Sequence, residues 1–133
     1  MFITARNADG VTSPHCTLLG DQRTSSLCMT FDSCHLQGRG TGGALRVEGL
    51  GGLILDNCWV QATSRAEAYI TIRSSAARAG VTCINVRGGM ADMADGSKPA
   101  RYMLVEGGSR QLHVNAHPQA SAWTGGAAIL ARG

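Results

Sequence analysis

Met29-Thr-Phe-Asp-Ser-Cys-His-Leu-Gln37 and Leu53-Ile-Leu-Asp-Asn-Cys-Trp-Val-Gln61 correspond position by position at one constant offset. Asp32 falls on Asp56, Ser33 on Asn57, Cys34 on Cys58, Leu36 on Val60 and Gln37 on Gln61. Each stretch reads as a short apolar strand, a polar turn and a second apolar segment. Following the turn position along the chain, at slightly longer steps, gives Asn85 and then Asn115. The repeat thus predicts a column of Ser33, Asn57, Asn85 and Asn115. A second column runs through Leu45-Arg-Val47, Ile70-Thr-Ile72, Met103-Leu-Val105 and Ala128-Ile-Leu130. Strand-like runs recur at 27–31, 44–47, 53–55, 68–72, 81–86, 102–105, 111–114 and 127–130. No stretch carries apolar residues at helical spacing over several turns, so the fold class expected is all-β.

A repeat unit this short, with two or three short strands, cannot bury its apolar face alone. Stacking such units about 4.8 Å apart buries a continuous core. An Asn at the same turn of every unit can bond its amide to the Asn above and below, and it tolerates the left-handed backbone that a sharp corner needs. The pattern resembles the right-handed parallel β-helix of pectate-lyase-like proteins and bacteriophage tailspikes. On that resemblance the chain is a short coil of about four rungs held by an Asn ladder. An antiparallel β-sandwich is the alternative, because short strands at these intervals also suit one. Residues 1–26 fit the repeat poorly and read as an N-terminal capping or docking segment, with the coil over 27–133. The longest interruption, 88–99, reads as an insertion leaving one corner.

Composition narrows the function. A chain of 133 residues is one domain. Only 16% of it is charged, against about 25% in ordinary globular chains, which suits a surface largely covered by partners. The net charge of +3 is small and scattered, so nucleic acid is not expected as a partner. No apolar run approaches the roughly 18 residues of a membrane span. The opening Met1-Phe2-Ile3-Thr4-Ala5-Arg6 lacks the basic-then-apolar pattern of a signal peptide. Five widely spaced cysteines argue against a disulfide framework. Cys34, Cys58 and Cys83 are therefore expected to be reduced and mostly buried, in a protein made in a host cytoplasm.

The candidate chemistry is sparse. Gly38-Arg-Gly-Thr-Gly-Gly43 matches a nucleotide-loop string, but a strand follows where a helix is required, so a turn is expected instead. His113 and His117 lack a third ligand, and no metal or cofactor is expected. Asp32 and Asp56 should stack on adjacent rungs. If the protein is an enzyme, they are the carboxylates for acid–base glycoside cleavage; otherwise they are corner residues bonding the turn. Arg46, Glu48, Arg73 and Glu106 could share an open face with them. Trp59, Tyr102 and Trp123 are candidate contacts to a partner chain or a sugar, Trp59 because its neighbour Cys58 looks inward. Ile70 is expected beside them.

The resemblance implies a non-enzymatic structural component of a virion: a β-helical bacteriophage head-decoration protein or part of a tailspike or fibre. Its partners would be itself, as a homotrimer, and other virion proteins. The alternative is a polysaccharide-binding or polysaccharide-degrading β-helix directed at a host-surface polysaccharide. Size favours the structural reading, since about four rungs offer little groove, and a short solenoid needs caps that partner chains supply.

Overall fold

Alternating apolar residues make each strand in this chain short, two-faced and dependent on its neighbours. The computed structural model describes residues 16–19, 28–48, 52–73, 83–93, 96–106, 111–115 and 129–132; at 16–19, 28 and 111–115 it describes the backbone only. Among these residues are twelve strands and no helix. They are β1 (Cys16–Leu19), β2 (Cys28–Asp32), β3 (His35–Gly38), β4 (Leu45–Glu48), β5 (Gly52–Asp56), β6 (Trp59–Ala62), β7 (Ala68–Arg73), β8 (Cys83–Arg87), β9 (Met90–Met93), β10 (Arg101–Glu106), β11 (Gln111–Asn115) and β12 (Ile129–Arg132).

The strands form three sheets. Sheet 1 has the order β1-β4-β7-β10-β12, sheet 2 the order β2-β5-β8-β11, and sheet 3 the order β3-β6-β9. Every pairing is parallel. The chain visits sheets 2, 3 and 1 in turn, so each strand pairs with its counterpart from the next circuit. The antiparallel sandwich is not found.

Register places like on like. Leu45, Ile70 and Met103 share one column, and Val47, Ile72 and Val105 another; all are buried. Leu53 and Ile84 form a column in sheet 2, and Phe31, Leu55 and Val86 a second. Leu36, Val60 and Ala91 complete the interior from sheet 3. These belong to one apolar cluster. Ile70 therefore points into the core, not outward as expected.

The corner between sheets 2 and 3 demands a left-handed residue. Ser33 has φ 52°, Asn57 φ 50° and Gly88 φ 59°. Small polar residues and glycine bear that conformation at least cost. Backbone bonds carry the pairing around the bend. Ser33 N donates to Asp56 O at 2.9 Å and Asn57 N to Arg87 O at 2.8 Å. Beyond the bend, Trp59 N donates back to Cys34 O at 2.8 Å and Met90 N to Cys58 O at 2.9 Å.

The Asn ladder is corrected at this corner. Asn85 lies within β8 opposite Ile54 and His113, not opposite Asn57. Asn115 shares a column with Arg87, Asp56 and Asp32. A Gly88-Gly89 corner supplies the positive φ with no amide at all. Three further expectations shift. Segment 88–99 holds β9 rather than a simple insertion. Residues 1–26 contain β1, which pairs with β4, so that region is not only a cap. The last member of the second column is Ile129, opposite Met103, one residue later than read from the sequence.

Tyr69 and Tyr102 are buried side by side on adjacent circuits, with ring centroids 6.4 Å apart and planes tilted by 43°. Burial, and more weakly the charge of Asp92, pushes the Tyr69 hydroxyl up to about 12. Burial raises Tyr102 further. Unfolded tyrosine ionises near pH 10. The fold thus keeps protons that the unfolded chain releases, and its stability is full below pH 10 and falls as pH rises from 10 through 12. Tyrosinate absorbance should appear together with loss of the strand circular-dichroism signal. Ionisation with the strand signal intact would refute the burial.

Gly43, with φ 76°, turns the chain into β4, and a Cβ there would sit 2.4 Å from Ala68 O. Gly96, with φ 71°, has nothing within 4 Å. Urea unfolding should show Gly43→Ala destabilising by at least about 2 kcal/mol through strain and overlap. Gly96→Ala should cost only about 1 kcal/mol of backbone strain.

Candidate functional site

In-register stacking sets each outward side chain about 4.8 Å from its counterpart on the next circuit, so a charged column is favourable where it alternates in sign. The outer face of sheet 1 does so. Glu48, Arg73, Glu106 and Arg132 follow one another in a single column. Arg73 bonds Glu106, and Arg132 Nη1 lies 3.7 Å from Glu106 Oε1. In the column beside it, Arg46 turns its Nε to Glu48 Oε1 at 2.9 Å. Glu67, just before β7, pairs with Arg132 and lies 3.9 Å from Arg101. Such part-exposed pairs contribute about 0–1 kcal/mol each. Their main effect here is to fix the direction of long side chains.

Thr71 is short where Arg46 and Leu104, its neighbours in the column, are long. The result is a cleft of about 170 Å³ lined by Thr41, Arg46, Glu67, Thr71, Arg73 and Glu106. Its guanidinium, carboxylate and hydroxyl groups suit a small polyhydroxylated or charged ligand. Each carboxylate in it already accepts bonds from arginine.

Asp32 and Asp56 do stack, but on sheet 2. They do not join Arg46, Glu48, Arg73 and Glu106 on one face, because a corner of the chain separates the two sheets. Asp56 bonds Arg87 at 2.7 Å, and Asp32 accepts from Ser33 Oγ at 2.9 Å. They serve the corner.

Sheet 3 presents a different outer surface. The His35 and Trp59 rings stack with centroids 4.3 Å apart and planes 12° from parallel, and Met90 follows Trp59 in the same column. Beside them His35 Nε2 donates to Gln61 Oε1 at 2.9 Å, and Gln61 Nε2 to Asp92 Oδ2 at 3.4 Å. Trp59, Met90 and Met93 are exposed. A notch of about 140 Å³ lies beside Trp59 and Met90, lined also by Asn57, Cys58 and Gly89. Trp59 is thus available to a partner. Tyr102 is buried and is not, which corrects its place among the contact residues. Trp123 lies outside the described residues, as do His117 and the side chain of His113.

The glycine string ends in a turn, with Gly43 N bonded to Gly40 O at 3.5 Å and β4 directly after it. Among the described residues, no three His, Cys, Asp or Glu side chains converge. Comparison of the chain with protein-family models, curated proteins and solved structures gives no match. Glu67 and Arg132 escaped the sequence reading. Shifting the last column by one residue, from Ala128 to Ile129, would have exposed Arg132 as the continuation of Glu48 and Glu106. Nothing in the string around Glu67 marks it.

Cys34 and Cys58 are free and buried at successive corners, while Cys83 is free but only half-buried. Cys34 Sγ donates to Asp32 O at 3.4 Å and Cys58 Sγ to Phe31 O at 3.3 Å. Burial raises the Cys58 thiol above its ordinary range. Thiolate is the reactive form. Alkylation of the native protein followed by peptide mapping should therefore modify Cys83 well before Cys34 and Cys58. Equal rates would show that the corners open readily.

Proposed function

We propose that the chain is a short right-handed parallel β-helix acting as a non-enzymatic structural component of a bacteriophage virion, a head-decoration or tailspike/fibre module that assembles as a homotrimer. The observation that supports it most is the state of its acids. All six described carboxylates, Asp32, Glu48, Asp56, Glu67, Asp92 and Glu106, already have bonding partners, and four of them are held by arginine. Hydrolysis of a glycosidic bond asks for two carboxyl groups flanking the bond, one to give a proton and one to act as base or nucleophile. Side chains committed to one another are scaffold. Three parallel sheets ending in strands also call for capping, which other virion proteins packed end-on would supply.

A second reading, a polysaccharide-binding or polysaccharide-degrading β-helix, is favoured by the cleft over Thr71, whose mixed donors and acceptors suit sugar hydroxyls. One experiment separates the two. Light scattering at micromolar concentration should give a species near three times the 13.8 kDa of one chain, and it should leave bacterial surface polysaccharides intact. A stable 13.8 kDa species that shortens such a polysaccharide, and loses that activity in Glu106→Gln within the cleft, would reverse the order.

A further inference from the structure

We infer that the outer face of sheet 3, built on His35, Trp59 and Met90, is the surface by which copies of this chain pack side by side around an axis running along the coil. The inference rests on the assembly reading above and names the face that the reading leaves open.

In a cyclic assembly of parallel copies, a residue near the axis meets copies of itself at the same height. A charge there meets its own sign, which is unfavourable. The three outer faces differ in just this respect. Sheet 1 carries Arg46, Glu48, Arg73, Glu106 and Arg132. Sheet 2 carries Asp32, Asp56 and Arg87. The column through His35, Trp59 and Met90 on sheet 3 holds no acid and no arginine, and among the described outward positions of that sheet only Asp92 is charged.

The exposed apolar surface agrees. Of the four large apolar side chains exposed among the described residues, Trp59 at 36% and Met90 at 44% share this outward column, while Met93 at 42% ends β9 in register with buried Ala62. Thioethers and an indole adapt to one another well in a contact. The notch beside Gly89 leaves room for a side chain from a neighbour. A sugar fits this face less well. His35 already covers one side of the Trp59 ring, so only the side towards Met90 is left for a sugar to stack on.

The test uses three variants of the full chain. Met90→Glu should release monomers, weakening association by at least about 100-fold, because each added carboxylate meets its own copies. Thr30→Glu, at an exposed position on sheet 2, should leave the mass unchanged. Met90→Cys should self-link between copies under mild oxidation, giving a chain dimer on a non-reducing gel that the unmodified protein does not give. Circular dichroism checks that each variant folds, and Trp59→Glu, in the same outward column, stands in if Met90→Glu does not. An oligomer that survives the glutamate on sheet 3 overturns the inference while the assembly reading stands. So does an oligomer in which Met90→Cys fails to self-link, since its copies then run in opposite directions or meet elsewhere. A native chain that is already monomeric overturns both.

Discussion

The spacing of hydrogen-bonded parallel strands, about 4.8 Å, governs everything else in this molecule. It is close to the contact distance between side chains, so each residue touches its counterpart one circuit away. Inside, that favours columns of similar apolar volume, such as Leu45 on Ile70 on Met103. Outside, it lets rings stack, as His35 does on Trp59, and favours alternating charge, as in Glu48, Arg73, Glu106 and Arg132; the like-charged Asp32 and Asp56 are offset by Arg87 on the next circuit. At the bend between sheets 2 and 3 it calls for a left-handed residue on each of the three described circuits, because one circuit turning differently would break the backbone bonds to its neighbours.

The same constraint explains what the sequence reveals and what it hides. Where two circuits have equal length, as at 29–37 and 53–61, stacking leaves visible identity, and the columns through Cys34, Leu36 and Gln37 could be read directly. Beyond Asn57 the connections vary in length and identity misleads. Asn85 resembles Asn57 in type, but the property under constraint is backbone conformation, and Gly88 provides it. The strands of sheet 3 were hard to see for a related reason. Each has four residues, and half of them are outward His, Gln, Trp, Met or Asp, which carry little strand signal.

The candidate sites were legible in part. Glu48 and Glu106 could be matched because both follow a Val in the same strand, and the register puts Arg73 between them. Which carboxylate is bound to which guanidinium is a matter of side-chain reach across circuits, and Arg132 to Glu67, 65 residues apart, has no local signature. Tyr102 shows the opposite error. Its aromatic character suggested a contact surface, yet beside Tyr69 it is packed away from solvent.

The alternation of charge along sheet 1 gives the coil a parity. Removing the single circuit β5–β7 would bring Glu48 beside Glu106, with Arg73 gone from between them. Removing two consecutive circuits, β5 to β10, would instead set Glu48 beside Arg132 and keep the signs opposed. On that face the sheet keeps its charge order when circuits are gained or lost in pairs, whereas a change by one sets like charges side by side.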